Sequence, residues 1–372
     1  MRIDDFELER FFARHEFAVR HLLCASDVEG WPMAELLSLA DAETQALWHG
    51  LRLGYTESLG HPLLRREIAS LYETIAPDEV VVFSGAEEAI FTAANVLLGS
   101  GDHAIVVWPA YQSLYEVARA TGADVTLHEL HASEDWAIDT DRLRAELRPN
   151  TKLIVVNVPH NPTGSLPDAA TYRTIADIAA DAGATLLSDE VYRFLEIDPV
   201  DRLPAGADVG PHGVSVGVMS KSFALAGLRI GWLATHDARL LDAAARFKDY
   251  TTICASAPAE VLSIVALRAR ADVLARSHAI TLGNLRLLDA FFERQPHFEW
   301  VRPRGGSIGF PVLRADVPLD RFAEDLLETE GVLLAPGAIF GHPGNHFRLG
   351  FGRTDFAAGL GRLEAFAHRT LG

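Results

Sequence analysis

The chain has 372 residues, of which 49% are hydrophobic and 23% charged, a composition that is typical of a folded globular protein and excludes a disordered or fibrous one. The formal net charge of −18 argues against nucleic acid or an anionic membrane as the main partner, because both are bound largely through excess Lys and Arg. Two cysteines, Cys24 and Cys254, are too few for a disulfide scaffold or a four-ligand zinc site, which favours a reducing compartment.

No segment of the sequence has the pattern of a signal peptide or a membrane span. Charged side chains interrupt the first 25 residues, and nowhere do 18 apolar residues follow one another without a charge. We therefore expect a cytoplasmic protein with no membrane partner.

The middle of the chain alternates between short apolar runs and amphipathic stretches, which predicts strands alternating with helices. Predicted strands cover 79–84, 103–107, 124–130, 153–158, 185–188, 214–219 and 229–233, and predicted helices cover 87–98, 111–120, 139–147 and 168–182. Strands that are apolar on both faces indicate a mostly parallel sheet between two layers of helices.

After residue 238 the pattern changes to helices, at 259–270 and 272–294, followed by short strands and further helices near Leu319 and Phe356. A chain of this length is expected to form two domains. We predict an N-terminal arm with part of a small domain at 1–44, a large α/β domain at 45–270, and a small α+β domain at 271–372. Four phenylalanines of the arm are expected to pack on the small domain or on a second subunit: Phe6, Phe11, Phe12 and Phe17.

The ends of the predicted strands carry the candidate functional residues, since ligands of such sheets bind beyond the carboxyl ends of the strands. The first strand is followed by Ser84-Gly85-Ala86-Glu87, a turn of small residues that opens onto a helix and leaves backbone N–H groups free for a phosphate. By itself this turn is equally typical of an ordinary strand-to-helix connection. The next strand ends at Trp108-Pro109-Ala110-Tyr111, where a ring could stack on a flat heterocycle or simply pack.

Two further strand ends offer an amide and a carboxylate. Asn161 lies between prolines in Pro159-His160-Asn161-Pro162-Thr163-Gly164, a rigid turn that could hold the amide as a fixed hydrogen-bond donor. Asp189 ends the run Leu186-Leu187-Ser188-Asp189, and a carboxylate buried there needs a cationic or donor partner, for which a protonated pyridine nitrogen is suited.

Lysine chemistry has three candidates, because only Lys152, Lys221 and Lys248 occur among 33 basic residues. Lys221 follows a strand in Met219-Ser220-Lys221-Ser222, where a shielded amine suits Schiff-base chemistry. Lys152 precedes its strand and Lys248 lies in a charged helical stretch, so both are expected at the surface.

Taken in order, these motifs resemble the pyridoxal-phosphate (PLP) enzymes of fold type I, the class I and II aminotransferases. The resemblance runs from about Tyr55 to the C-terminus and depends most on Asn161-Pro162-Thr163-Gly164 and on the spacing between Lys221 and Arg229. It implies a fold type I transferase whose large domain binds PLP, and an enzyme that moves an amino group between an L-amino acid and a 2-oxo acid through a Schiff base on Lys221.

The resemblance also implies roles for single residues. Lys221 would form the Schiff base and carry the α-proton, Asp189 would pair with the pyridinium nitrogen, and Asn161 and Tyr192 would hydrogen-bond the phenolic oxygen of the cofactor. Arg348 would bind the substrate α-carboxylate with two parallel hydrogen bonds, next to Asn161.

The remaining implied cofactor contacts are the ring stacked by Tyr111 and the phosphate bound by Arg229 and by Gly85, Ala86 and Glu87. Tyr55 resembles a tyrosine that reaches the phosphate of a partner subunit, which implies a homodimer with shared active sites. Val218 stands where the family often has Ser or Thr in contact with the phosphate, and Ser220 or Ser222 could replace that contact.

Two alternatives stay open at this point, and a third is disfavoured. Several stretches, among them Lys248-Asp249-Tyr250 and Arg304-Gly305-Gly306, resemble a subgroup containing capreomycidine synthase, whose members cyclise or otherwise rework an amino acid. A non-catalytic module that senses PLP or an amino acid is a second alternative, although no basic segment is left over for a DNA-binding domain. A nicotinamide dehydrogenase would need a Gly-x-Gly-x-x-Gly turn, which Gly85-Ala86-Glu87-Glu88-Ala89 does not supply.

The substrate side chain cannot be assigned from the motifs. Trp31, Trp108, His160 and Arg304 are candidate pocket residues, and each is equally explained as a packing or loop residue.

Overall fold

A seven-stranded sheet dominates the computed structural model, which describes residues 2–372. The helices are α1 (Glu7–His15), α2 (Met33–Ser38), α3 (Ala42–His49), α4 (Pro62–Ala69), α5 (Ala86–Leu97), α6 (Ser113–Ala120), α7 (Thr140–Ala145), α8 (Ala169–Asp181), α9 (Ala238–Lys248), α10 (Ala257–Arg268), α11 (Arg270–Arg294), α12 (Leu319–Glu330) and α13 (Phe356–Leu371). The strands are β1 (His21–Leu22), β2 (Val80–Phe83), β3 (His103–Trp108), β4 (Asp124–Glu129), β5 (Thr151–Asn157), β6 (Thr185–Asp189), β7 (Gly213–Val218), β8 (Gly231–Ala234), β9 (Phe298–Glu299), β10 (Ile308–Gly309), β11 (Val312–Leu313), β12 (Val332–Leu333), β13 (Ala335–Pro336) and β14 (Phe347–Gly350).

The large sheet has the strand order β2-β8-β7-β6-β5-β3-β4, and only β8 runs against the others. The inner strands are buried on both faces because helices cover each side, which explains their continuous Val, Ile and Leu runs. The α/β fold with a mostly parallel sheet between helices is therefore as predicted. Strand register places Asn157 of β5 beside Asp189 of β6, so two polar side chains meet at the carboxyl edge of the sheet.

Shorter pairings complete the C-terminal part of the chain. Strands β13, β14 and β10 form an antiparallel sheet, β9 pairs with β11, and β1 from the N-terminal segment runs parallel to β12. A separate apolar core lies among these elements and includes Leu23, Leu288 and Phe347. We propose that this core and the sheet core correspond to the small and large domains, with the boundaries given above.

The structure corrects two expectations about individual residues. Phe6, which precedes α1, and Phe11 and Phe12 of that helix pack against a cluster that contains residues of β3, β5 and α8 as well as Phe310 and Phe340. Phe17 is 96% exposed. The arm therefore joins the sheet to the C-terminal part instead of packing on the small domain alone.

Lys248 is not a surface group. It is fully buried, and its ammonium donates to the carbonyls of Ser58 and Ile253, at 3.2 Å for the latter. The charged helical sequence predicts a surface position, but two loop carbonyls fold over the end of α9 and bury the lysine. Lys152 is exposed, as predicted.

Across residues 2–372, none of the helices combines the length and the apolar character that crossing a bilayer demands.

Candidate active site

A cavity of about 380 Å³ lies at the carboxyl edge of the large sheet. Its floor is formed by residues after β5, β6 and β7, its wall by the turn before α5, and α1 and residues 25–27 close it from the N-terminal side. Most of the predicted site residues line it: Ala86, Glu87, Tyr111, Asn161, Asp189, Tyr192, Ser220, Lys221 and Arg229. The tertiary structure thus brings together side chains that are up to 143 positions apart in the sequence, from Ala86 to Arg229.

Lys221 lies where β7 ends, and its amine faces the cavity. Nζ donates to the hydroxyl oxygen of Ser26 at 2.9 Å and lies 6.0 Å from the centre of the Tyr192 ring. Burial lowers the pKa of Lys221, since the charged form loses solvation, although Asp27 acts in the opposite direction. The amine is therefore easier to deprotonate than an ordinary lysine, as nucleophilic chemistry requires.

Asp189 ends β6 with its carboxyl group 3% exposed. One oxygen accepts from the Val191 N–H at 3.2 Å, and burial raises the pKa of Asp189 to about 7. A carboxyl that is this poorly solvated gains most from a cation placed against it.

Asn161 is held in place by a chain of amide contacts. Its N–H donates to Asn157 Oδ1 at 2.6 Å, and Asn157 in turn donates to the Asp189 carbonyl at 2.9 Å. Asn161 Oδ1 accepts from Arg348 Nη1 at 3.3 Å. With the oxygen occupied, the amide NH₂ is the group that remains for a ligand acceptor.

Two tyrosines bring their rings to the cavity. Tyr192 is 1% exposed and its hydroxyl has no hydrogen-bond partner among the described residues, an arrangement that calls for a ligand atom. Tyr111 packs on Phe6 with ring centres 5.0 Å apart, and its hydroxyl donates to Glu9 at 3.2 Å. Burial raises the pKa of both phenols, so both are hydrogen-bond donors at neutral pH.

The turn before α5 has the shape of an anion cradle. Gly85 caps the helix with φ +94°, a backbone conformation that favours glycine, and a Cβ at this position would stand 2.9 Å from Arg229 Nη2. The guanidinium of Arg229 therefore lies against the helix N-terminus, where both favour a phosphate. Glu87 lines the cavity as well, and burial raises the pKa of its carboxyl.

Arg348 of β14 is fully buried and lies one contact away from the cavity. Nε and Nη2 donate to the Cys24 carbonyl at 3.1 and 2.9 Å, Nη1 contacts Asn161, and the rings of Phe12 and Phe340 are 5.7 and 5.2 Å from the guanidinium carbon. Its predicted contact with a carboxylate stays a prediction.

Tyr55 does not reach the cavity of its own chain and is 90% exposed. The role that the resemblance implies for it, at the phosphate of a partner subunit, stays a prediction.

The four candidate pocket residues lie elsewhere. Trp31 faces Arg276 at 4.8 Å, and Trp108 stacks on His342 with ring centres 5.6 Å apart. His160 and Arg304 line a neighbouring cavity of about 460 Å³ behind the Asn161 turn. The same cavity is lined by exposed salt-bridged arginines and does not contain Lys221 or Asp189.

Four polar lining residues of the N-terminal segment were missed from the sequence: Glu9, Glu16, Ser26 and Asp27. They precede the turn that begins at Ser84 by 57 to 75 residues and follow no recognisable spacing. Only the packing of α1 and of residues 23–28 against the C-terminal strands brings them over Lys221.

The described residues fit a pyridoxal phosphate molecule. An unpartnered buried phenol, a free amide NH₂, a buried carboxyl with a raised pKa and a glycine cradle beside an arginine match the phenolic oxygen, the pyridine nitrogen and the phosphate of that cofactor. Together with the fold and the shielded lysine, they define a PLP-dependent enzyme of fold type I.

Comparison with known proteins gives the family. The model of the family "Aminotransferase class I and II" matches residues 23–358, and the chain belongs to this family. Capreomycidine synthase of Streptomyces vinaceus is 31% identical over 371 residues, covering 96% of this chain and 92% of that protein. A PLP-dependent aminotransferase of Streptococcus suis superposes with a TM-score of 0.94 at 31% identity, over 99% of both chains. The PLP-dependent cyclase OrfR superposes with a TM-score of 0.90 at 33% identity, over 99% of this chain and 98% of that one.

Proposed function

We propose that the protein is an aminotransferase that moves an amino group between an L-amino acid and a 2-oxo acid, with Lys221 as the residue that binds the cofactor covalently. The observation that carries the proposal is the juxtaposition of the Lys221 amine, the Asp189 carboxyl and the Asn161 amide in one cavity. Bound PLP would supply an electron sink for the charge that develops at the substrate α-carbon.

Each residue has a defined task in this proposal. Asp189 holds a proton on the pyridine nitrogen by charge, Asn161 and Tyr192 donate to the phenolic oxygen, and Tyr111 covers the ring. Arg229 and the N–H groups after Gly85 bind the phosphate. Lys221, with its lowered pKa, accepts the α-proton and returns it.

A homodimer belongs to the same proposal. Exposed side chains on two neighbouring segments support it, since Leu53, Tyr55 and Tyr250 are 87%, 90% and 93% exposed and Ile253 is 49% exposed. The segments are joined by the hydrogen bond from Thr56 to the Ala255 carbonyl at 3.2 Å and by Lys248. A second subunit on this face would cover the apolar side chains and bring Tyr55 to the partner's phosphate.

A second candidate is a PLP-dependent reaction that reworks the amino acid without net amino transfer. The names of two similar proteins support this candidate, since one is a capreomycidine synthase and the other a PLP-dependent cyclase. The N-terminal side of the cavity is acidic, since Glu9, Glu16 and Asp27 line it, and among the described residues only Asp27 has an ion-pair partner, Arg353 at 3.1 Å. This side therefore favours a substrate with a cationic side chain. Burial, Asp27 and Glu9 raise the pKa of Glu16 although Arg353 and Lys221 act in the opposite direction, and a substrate cation beside Glu16 would relieve this repulsion.

One experiment separates the two candidates. The PLP-loaded protein is incubated with single amino acids, including arginine, lysine and aspartate, in the absence of a 2-oxo acid. An aminotransferase converts its cofactor stoichiometrically to pyridoxamine phosphate and releases one equivalent of oxo acid. A cyclase or lyase gives a product of altered mass over many turnovers while the cofactor stays PLP. No reaction with any amino acid, despite cofactor bound to Lys221, would contradict both and favour the sensing module.

A further inference from the structure

Ser26 is the group that contacts the catalytic amine, and it has no role in the function proposed above. Its Oγ accepts the hydrogen bond from Lys221 Nζ at 2.9 Å. Within residues 2–372 this is the one hydrogen bond that the amine makes, although five acidic side chains line the same cavity: Glu9, Glu16, Asp27, Glu87 and Asp189.

The position of Ser26 is fixed by the C-terminal part of the chain. Its carbonyl accepts from the Ser307 hydroxyl at 2.9 Å, the Leu23 N–H donates to the Leu333 carbonyl at 3.1 Å, and the Gly350 N–H donates to the Leu23 carbonyl at 2.7 Å. A Cβ at position 350 would stand 1.8 Å from the Ala25 carbonyl oxygen, so the segment can lie this close only against glycine. The serine is therefore held by β1, β14 and their neighbours, whereas the lysine belongs to the large sheet.

A hydroxyl suits this place better than a carboxylate would. A serine oxygen accepts from the amine without carrying a charge, so it orients Nζ while leaving the proton affinity of the amine low. A carboxylate at the same distance would hold the amine as an ammonium ion, which has no lone pair with which to accept a proton. Burial already lowers the pKa of Lys221, and a neutral partner preserves that effect.

We propose that Ser26 is a positioning residue for Lys221, whose hydroxyl oxygen holds the free ε-amine at the cavity while that amine accepts and returns the substrate α-proton. The inference depends on the function proposed above. In the step itself the nitrogen lone pair takes the α-hydrogen as a proton, the two electrons of the C–H bond stay with the substrate, and the resulting ammonium returns the proton later. Ser26 accepts a hydrogen bond throughout and neither gains nor loses a proton.

The test compares Ser26→Ala, which removes the hydroxyl, with Ser26→Thr, which retains it. Ser133→Ala is the matched control, since Ser133 is an exposed serine between β4 and α7. The first readout uses the apoenzyme: the rate at which acetic anhydride acetylates Lys221 is measured against pH by peptide mass spectrometry. Ser26→Ala should shift this pH profile to lower pH, because the ammonium form loses its hydrogen-bond acceptor, whereas Ser26→Thr and the control should follow the wild type.

The second readout uses the PLP-loaded enzyme and the exchange of the substrate α-hydrogen with D₂O. Ser26→Ala should slow exchange at saturating amino acid roughly 10- to 100-fold, as expected for one hydrogen bond to a charged group, with KM and cofactor content unchanged. Ser26→Thr should restore most of the rate.

Wild-type exchange and an unshifted acetylation profile in Ser26→Ala would overturn the proposal. Loss of cofactor or of thermal stability in Ser26→Ala that Ser26→Thr does not repair would assign the serine a structural role and overturn it as well. Failure of the proposed function is recognised separately, because then the wild type exchanges no α-hydrogen while the acetylation profile of the apoenzyme still responds to Ser26.

Discussion

Replacing Asp189 with asparagine should stabilise the apoenzyme while it destroys the catalyst. Burial raises the pKa of this carboxyl from 3.8 to about 7, and roughly 1.4 kcal/mol corresponds to each pKa unit, so ionising it in the folded apoenzyme costs about 4 kcal/mol more than in the unfolded chain. Asparagine fills nearly the same space and never ionises. Above pH 7 we therefore expect apo Asp189→Asn to unfold with a free energy up to about 4 kcal/mol higher than that of the wild type.

The sign of the pH dependence follows from the same shift. Between pH 3.8 and about 7 the folded wild type holds a proton on Asp189 that the unfolded chain has released. Wild-type stability therefore decreases as pH rises through this window, and the advantage of Asp189→Asn grows over the same range and then levels off. Urea unfolding of the two apoenzymes at pH 5.5 and 8.5, followed by tryptophan fluorescence at fixed protein concentration, measures this difference.

Bound cofactor should reverse the order of stability of the wild type and Asp189→Asn. The pyridinium nitrogen gives the Asp189 carboxylate the cation that it lacks in the apoenzyme, so added PLP should stabilise the wild type more than Asp189→Asn. Exchange of the α-hydrogen should fall by orders of magnitude in the variant, because an amide cannot keep the ring nitrogen protonated while charge develops. Asp177→Asn, an exposed change on α8, serves as control. A stability difference independent of pH, or near-normal exchange in Asp189→Asn, would refute the reasoning.

Three further predictions concern the lysine, the arginine and the interface. Lys221→Ala should abolish covalent attachment of PLP, and borohydride reduction with peptide mapping of the wild type should label Lys221; label on Lys248, whose buried amine contacts two carbonyls, would contradict the assignment. Arg348→Lys should weaken amino-acid binding by about 1–3 kcal/mol with the cofactor spectrum unchanged, since lysine keeps the charge and loses the two-pronged contact. Spectral titration measures the affinity, and an affinity equal to that of the wild type would exclude the α-carboxylate role. Light scattering should find a dimer, and Tyr55→Phe should weaken PLP binding without dissociating the dimer. A stable active monomer would exclude shared active sites.

The sequence by itself determined the α/β class and the residues at the carboxyl ends of the strands. The alternation of β-branched runs with amphipathic stretches is a local periodicity that the sequence shows directly. Asp189 and Lys221 could be found in the same way, because each lies at the end of an apolar run or within a few residues of it. These features could be predicted because neighbours in the sequence encode them. The short elements of the N-terminal segment, such as α1 and β1, were not predicted, because they bury few side chains of their own and are stabilised by packing against distant parts of the chain.

Only the tertiary structure decided what surrounds the Lys221 amine. Ser26, Glu9, Glu16 and Asp27 reach the cavity because β1 pairs with β12 and because Gly350 admits the Ala25 backbone, contacts between residues more than 300 positions apart. Burial of Lys248 likewise results from two loop carbonyls that close over the end of α9. Such contacts form only when separate segments pack together. They are stabilised by burial of apolar surface in the assembled core, which no single stretch of sequence provides.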